Sequence, residues 1–516
     1  MKSTGSLRVI IPLFAVLFAV SGGLLAASGS SYLVALPLAL VLAGFLLALR
    51  ASHTLALLAL GVFVIAGTLK YFAGISQAML ATYLLALALT LKIVRIDSTG
   101  LKGWGGVEWV LLLIVATTGL SLIVNQPSAL IALAGAKSLV GFIPVALLIS
   151  RGHVEVNALA RLWKLIALLP ILQVPFVLYQ YFVVAAGRST AGGAYGVAWD
   201  AVVGSFGGNP ESGGASGVLA VICISCSLLA VSLYRFGQMR GGLLALVLAS
   251  ATLCVMLAEV KVVVLLLPLG VIVYTLPQLS KRPFQSIAAI VACIVLAGGI
   301  VYSYSLVHYG SVSQMPDKEE FIDKTFGYSF DPDRINLITR EMGRAAAFQL
   351  WAEDGFVENP GRGLIGYGPG ASRGLSAFGI GEVARQYPYF IDRSAATQIL
   401  WDIGLVGMLL FAILPVVAGV RAYQYRGAKQ ENEPAMDAVM CSAPAILAVC
   451  ALMFPYGRDL LEVPALSFFF MALIGTVVLA TRGQVAARRL GRRGSLSSVR
   501  VGSPAMRGQH STRTGW

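Results

Sequence analysis

The sequence predicts an all-α polytopic membrane protein with about 14 transmembrane helices and one large, mainly helical outer loop. Hydrophobic residues make up 57% of the chain and charged residues only 12%, with a mean hydropathy of +0.81. Soluble domains carry about a quarter charged residues. Half of the 24 acidic side chains fall in one polar segment, 306–396. That segment must lie outside the hydrocarbon, because its charged and backbone groups would be unsatisfied within it.

Each remaining apolar run is long enough for one crossing of about 30 Å of hydrocarbon, at about 1.5 Å per helical residue. The first run lacks a small-residue cleavage pattern and further runs follow it at once, which favours a retained span over a cleaved signal. Only Glu259 and Lys261 divide the apolar region 241–277 into two spans. In chain order, the predicted spans are 8–28, 32–49, 54–69, 75–93, 107–124, 128–149, 161–186, 215–234, 241–258, 261–277, 285–305, 397–420, 437–454 and 461–480.

Basic residues predict the orientation, since Lys and Arg gather in alternate connections between the spans. This pattern predicts both termini in the cytoplasm and the polar segment outside the cytoplasmic membrane. The net charge of +14 is then a topology signal, and no nucleic-acid partner is expected. The predicted parts are a bundle of about 11 spans (1–305), the outer loop (306–396), a bundle of about 3 spans (397–480) and a disordered basic tail (481–516).

The sequence predicts neither a metal site nor a cofactor. All six cysteines fall inside apolar spans, where they are typical of helix packing. Cys223 and Cys226 have the spacing of a metal knuckle, but no second pair accompanies them.

Two lysines toward the outer ends of spans are candidate ligands for a phosphate-bearing lipid headgroup. Lys137 lies within span 128–149, and Lys261 begins span 261–277. Neither has an obvious carboxylate partner one helical turn away. The alternative is that these side chains snorkel or form interhelical pairs.

The outer loop contains a glycine-dense run, Gly361-Arg-Gly-Leu-Ile-Gly-Tyr-Gly-Pro-Gly370. Its glycines Gly366, Gly368 and Gly370 suit either a phosphate cradle of backbone amides or a tight turn. The stretch before it, 334–354, has helical periodicity and carries Arg334, Arg340 and Arg344. These arginines are candidates for binding a pyrophosphate or for pairing with Glu341 and Asp354.

The order of these elements resembles the O-antigen ligase and polymerase superfamily. The resemblance covers about 200–415: Gly204-Ser-Phe-Gly-Gly-Asn-Pro210, then the glycine run, then Arg393-Ser-Ala-Ala-Thr-Gln running into Asp402 and Gly404-x-x-Gly407. It implies a metal-independent, inverting glycosyltransferase that uses polyprenyl-diphosphate-linked oligosaccharides. One departure is that Arg393 stands where the ligases carry a histidine, which favours the polymerase branch. Lys261 stands where relatives often carry an arginine.

The sequence therefore predicts a polysaccharide polymerase that joins lipid-linked repeat units into exopolysaccharide or O-antigen at the outer leaflet. A ligase and, from another class, a transporter or flippase of lipid-linked sugars are the alternatives. Candidate partners besides membrane lipid are a chain-length regulator and export machinery. The candidate site residues are Arg393, Asp392, Glu382 and Asp402 for catalysis, and Lys261, Arg340, Arg344, Lys137 and Arg373 for the diphosphate.

Overall fold

A computed structural model describes residues 44, 48–97, 104–185, 201–210, 214–258, 260–309, 330–337, 340–374, 379–425 and 433–498. The predicted span 8–28, nearly all of span 32–49 and the end of the tail lie outside these described residues. The chain is a helical, multi-pass membrane protein, as the sequence predicted. Eleven of the described helices are long and apolar enough to cross a membrane, whereas Val263–Leu279 is a shorter apolar helix of 17 residues.

Apolar sequence becomes helix here because a helix is the element that satisfies its own backbone in hydrocarbon. The long helices are α1 (Ala51–Ala73), α2 (Gln77–Asp97), α3 (Gly106–Asn125), α4 (Ala129–Ser150), α5 (Val156–Ala185), α6 (Ser216–Arg235), α7 (Gly241–Ala258), α8 (Val263–Leu279) and α9 (Pro283–Tyr309). After the outer segment come α12 (Ala395–Tyr425), α13 (Pro434–Tyr456), the single turn α14 (Asp459–Glu462) and α15 (Pro464–Ser498). Helices α6, α13 and α15 are largely buried, and α9 is mostly exposed.

Contacts between segments that are far apart in the sequence show which described loops share a membrane face. On the first face, which we call the site face, the Tyr83 hydroxyl of α2 donates to the carbonyl of Leu461 in α14 at 2.9 Å. These two helices are therefore neighbours there. On the opposite face, Arg482 of α15 pairs with the buried Glu108 at the start of α3. Each face therefore brings together helix ends that are far apart in the sequence.

In its described part, the polar segment 306–396 is less helical than the sequence predicted. A short antiparallel pair, β1 (Ile335–Asn336) and β2 (Glu341–Met342), occupies the first part of the expected helix over 334–354. Arg340 has a left-handed φ of 57°, which reverses the chain between these strands. Helix α10 (Arg344–Leu350) begins only after Gly343, continues as a π-helical stretch over Trp351–Val357, and is followed by α11 (Pro360–Ile365).

The last helix is longer than the predicted span. Helix α15 runs on to Ser498, beyond the end of the span expected over 461–480. The residues that follow Arg482 include Val, Ala, Arg and Leu as well as Gly, and the Ala, Arg and Leu among them favour helix.

One connection on the site face is buried among the helices. The segment 201–208 lies against α1 and α5, and every one of its residues is buried. Gln180 accepts from the amides of Val203 and Gly204 at 2.9 and 2.7 Å, and Gln173 accepts from the Ser205 amide at 2.7 Å. Two glutamines of α5 thus satisfy a buried loop whose polar backbone would otherwise be costly to bury.

Candidate functional site

Glu462 forms the centre of a cluster of charged side chains on the site face. It sits on α14, between the outer ends of α13 and α15. Its Oε1 accepts from the Arg373 guanidinium and, at 3.0 Å, from the Gln398 amide. Its Oε2 lies 3.8 Å from Nζ of Lys137. Arg373 also donates to the Ser138 hydroxyl at 2.7 Å. One carboxylate therefore holds two cations from different parts of the chain.

The opposite charges of Glu462 and Arg373 stabilise one another. Burial alone would raise the pKa of Glu462, but Arg373 and Lys137 outweigh it and lower the pKa to about 2. The pKa of Arg373 is raised: its burial acts to lower it, and the neighbouring Glu462 carboxylate acts more strongly to raise it. Both groups are accordingly ionised near neutral pH.

Two further ion pairs lie beside this group. The buried Asp392 accepts from Arg458 at 2.5 Å, and Arg393 lies 3.6 Å from Glu341. Burial raises the pKa of Asp392, although Arg458 opposes that rise. Burial and the nearby Arg458 lower the pKa of Arg393 to about 10. Arg393 therefore stays a cation near neutral pH.

Two more cationic side chains lie near the ends of helices. The Arg344 guanidinium lies 4.0 Å above the ring of Tyr456, at the end of α13, and donates to the carbonyl of that residue. Lys70, near the end of α1, interacts electrostatically with Glu462. We call the whole set the cationic cluster: Lys70, Lys137, Arg344, Arg373, Arg393 and Arg458, with the carboxylates of Glu341, Asp392, Asp459 and Glu462. Its cations outnumber its carboxylates.

Buried polar atoms in and beside the cationic cluster lack a partner within the described part of the chain. They include Nε of Arg373, Oδ1 of Asp392 and Oε1 of Gln398. Buried polar atoms of this kind usually have a hydrogen-bond partner, and an exception calls for an explanation such as a bound ligand or water.

The glycine-rich run forms a tight turn rather than a phosphate cradle. Gly366, Gly368 and Gly370 all have left-handed φ values, of 84°, 108° and 85°. The amides of Gly366, Gly368 and Gly370 donate to the Arg362 carbonyl, to the Asp402 carbonyl and to the Asp402 carboxylate. With these amides occupied, the turn has no such donors left for a phosphate.

Asp402 holds this turn in place. Its carboxylate accepts from the Gly370 amide at 2.8 Å, the Ser372 amide at 3.0 Å and the Ser372 hydroxyl at 2.8 Å. The residue is completely buried. A base needs to reach the substrate proton, and the position of Asp402 suits support of the turn instead.

A polar pocket of about 280 Å³ opens on the other side of the glycine turn. Tyr387 donates to the Asp354 carboxylate at 2.8 Å, and the Trp401 ring packs between Tyr367 and Tyr387, with ring centroids 5.4 and 6.2 Å apart. We call this cavity the acidic pocket, and it is lined by Asn125, Asp354, Glu358, Asn359, Arg362, Tyr367, Glu382, Val383, Gln386, Tyr387 and Trp401.

The predicted site residues divide by position. Lys137, Arg344, Arg373, Asp392 and Arg393 come together in the cationic cluster. Glu382 lines the acidic pocket and is exposed there.

The remaining two predicted cations lie elsewhere. Arg340 is exposed, and its guanidinium donates to the Pro388 carbonyl at 2.9 Å and stacks on Phe390. Lys261 lies in the turn before α8.

The sequence prediction missed Glu462, Gln398 and Trp401. Glu462 was placed inside the apolar span 461–480, although the polar sequence Arg458-Asp459-Leu-Leu-Glu462 before Pro464 was a signal of a short connection. Gln398 and Trp401 lie in an apolar run, where a single polar side chain carries no distinctive pattern.

The sequence matches no known protein family and no curated protein. Among the described residues, no group of three or more His, Cys, Asp or Glu side chains is placed to hold a metal ion. The chemistry is therefore inferred from the cationic cluster, the glycine turn and the acidic pocket.

Proposed function

We propose that the protein is a membrane glycosyltransferase that polymerises oligosaccharide repeat units carried on a polyprenyl diphosphate at the outer leaflet of a bacterial cytoplasmic membrane. The observation that carries this proposal is the cationic cluster, a surplus of fixed positive charge at one membrane face. Such a site suits an anionic headgroup that leaves during transfer, because preorganised cations stabilise the charge that develops on it.

Arg373 is the best candidate to contact the diphosphate. Glu462 and Ser138 fix two directions of its guanidinium, while its Nε has no partner among the described residues. A planar guanidinium with a donor to spare matches a phosphate oxygen well. Lys137 and Arg393 supply further positive charge on the same face.

In this proposal the diphosphate and the acceptor bind on adjacent sides of the glycine turn. Tyr367 of this turn lines the acidic pocket, and Arg373, only six residues later, belongs to the cationic cluster. A sugar hydroxyl held in the pocket would then lie beside the departing diphosphate, and such proximity contributes much of the rate in group transfer. Glu382 is the candidate base, since it is exposed in the pocket whereas Asp392 and Asp402 are buried.

An apolar groove of about 580 Å³ offers a place for the prenyl chain. It runs between α8, α12 and α13 and includes Pro455 and Tyr423. Pro455 adjoins Tyr456, whose ring contacts Arg344 of the cationic cluster. The groove therefore ends beside a residue that contacts the cluster, where a lipid with a charged headgroup would need it.

The resemblance to the O-antigen ligase and polymerase superfamily supports the same chemistry. At the position of the ligase histidine stands Arg393, whose pKa of about 10 keeps it protonated near neutral pH. It can stabilise an anion but cannot act as a base, which favours a polymerase over a ligase.

The test is polymerisation by purified protein in proteoliposomes supplied with polyprenyl-diphosphate-linked repeat units. Loss of one charge-stabilising donor typically costs about 100-fold, so Arg393→Ala should reduce the rate by about that factor and Arg393→Lys should retain part of it. Arg385→Ala, which removes an exposed arginine outside the cationic cluster, is the matched control. Wild-type polymer length and yield from Arg393→Ala at equal protein level would refute this role. A single transfer without a polymer ladder would indicate a ligase.

A further inference from the structure

The acidic pocket carries more negative than positive charge. Asp354, Glu358 and Glu382 line it, with Arg362 as its one cation among the described residues. Glu358 and Glu382 are exposed and form no ion pair with any described residue. Asp354 keeps one oxygen for a ligand, because its other oxygen accepts from Tyr387. These carboxylates can accept hydrogen bonds from hydroxyl or ammonium groups.

Aromatic rings also line the pocket. Trp401 is 1% exposed, and its indole N–H has no acceptor among the described residues. Tyr367 and Tyr387 pack against the same indole ring. A buried donor without a partner is costly, and this one belongs to a ring that lines the pocket. The indole N–H is therefore a candidate donor to a hydroxyl group of a ligand.

The aromatic rings and the carboxylates of the acidic pocket together indicate what kind of ligand it binds. Aromatic faces favour the apolar side of a flat ring, and carboxylates favour its polar edge. A pyranose sugar presents both. An ammonium group gains further from cation–π contact with the aromatic rings.

We propose that the acidic pocket binds the acceptor sugar and selects neutral or amine-bearing sugars over uronic acids. The assignment of the pocket to the acceptor rests on the proposed function. The selectivity follows from charge, because a uronic carboxylate would meet two unpaired carboxylates and specificity often comes from such like-charge contacts.

The size of this selectivity can be bounded. Two unit charges about 6 Å apart interact by about 3 kcal/mol at an effective dielectric constant of about 20. Screening in an open pocket reduces this. A net difference of about 1.4 kcal/mol corresponds to about tenfold in affinity, which we take as the expected minimum.

Binding to the purified full-length protein in detergent micelles tests the proposal without any transfer reaction. Three β-1,4-linked tetrasaccharides of matched backbone are the probes: cellotetraose, tetraglucosamine and tetraglucuronate. Isothermal titration should give affinity in the order tetraglucosamine, cellotetraose, tetraglucuronate, with about tenfold or more between the first and last. Raising the salt concentration should reduce the difference in affinity between tetraglucosamine and tetraglucuronate.

Substitutions separate the pocket from the rest of the surface. Glu382→Gln and Glu358→Gln should each reduce the ratio of the affinities for tetraglucosamine and tetraglucuronate by about threefold. Glu353→Gln removes an exposed carboxylate from the same segment outside the pocket and should leave this ratio unchanged.

Equal or tighter binding of tetraglucuronate would overturn the proposal, as would an affinity ratio that Glu382→Gln and Glu358→Gln do not alter. Absence of binding by all three probes would overturn the assignment to sugar. Failure of polymerisation with intact selective binding would instead refute the proposed reaction and leave the pocket assigned.

Discussion

Gly67 lies where α1 meets the buried loop 201–208, and its replacement tests that packing. A Cβ atom at this position would overlap the Ser205 carbonyl and the Gly207 amide, both of them backbone atoms. Backbone cannot swing aside as a long side chain can, so Gly67→Ala must displace the loop. We expect a clear loss of stability.

The magnitude follows from the contacts. Overpacking of this kind costs about 1–3 kcal/mol. Displacement also weakens the bonds from Gln173 and Gln180 to the loop amides, at about 1 kcal/mol each. Alanine returns up to about 1 kcal/mol of helix propensity. The net expected loss is about 3–5 kcal/mol.

The assay is thermal unfolding of the purified protein in detergent, followed by circular dichroism. Gly61→Ala is the matched control, because it lies in the same helix and an added Cβ there meets no atom within 4 Å. Gly67→Ala should unfold several degrees below both the wild type and Gly61→Ala. Equal unfolding temperatures for all three proteins would refute the packing of the loop against α1.

Three other predictions concern charge, metal and topology. The pKa of Glu462 is lowered from its ordinary 4.5 to about 2. The stability that it contributes, about 3 kcal/mol, should therefore be present above about pH 4.5 and disappear as the pH falls toward 2. Thermal unfolding across that range should show this loss, and Glu462→Gln should flatten it; an equally steep loss in Glu462→Gln would contradict the assignment. Polymerisation should persist in excess chelator, and complete loss that divalent ions restore would count against a metal-independent reaction. A cysteine placed at Ser313, with the native cysteines removed, should react with an impermeant thiol reagent in intact cells; labelling only after lysis would place 306–396 in the cytoplasm.

The sequence predicted the membrane helices well because hydrocarbon imposes a single strong demand. The span expected over 107–124 is α3 (Gly106–Asn125), and the span expected over 241–258 is α7 with the same bounds. Apolar length alone decides such elements. No comparable requirement acts on the polar segment 306–396. There the chain reverses direction at Arg340 through a left-handed backbone conformation, which sequence periodicity does not reveal.

The candidate site was only partly predictable for a different reason. Lys137 and Arg373 were recognised as cations near the outer face. Their shared partner, Glu462, lies far along the chain from both, and no local spacing rule connects positions so distant. Asp402 shows the same limit: no local pattern indicates that its carboxylate accepts three hydrogen bonds from Gly370 and Ser372.

The glycine turn also sets the depth of the site. Asp402, which binds it, lies seven residues into α12, or about 10 Å along the helix axis at about 1.5 Å per residue. Gly135, which touches Gly370, lies at a similar depth in α4. Polar groups thus stand below the rim of the bundle, close to the headgroup layer. A lipid-anchored substrate can reach them without drawing its tail into water, which would cost ~0.8 kcal/mol for each methylene exposed. For the proposed lipid-linked substrate, the membrane itself would then supply the site by lateral diffusion in two dimensions.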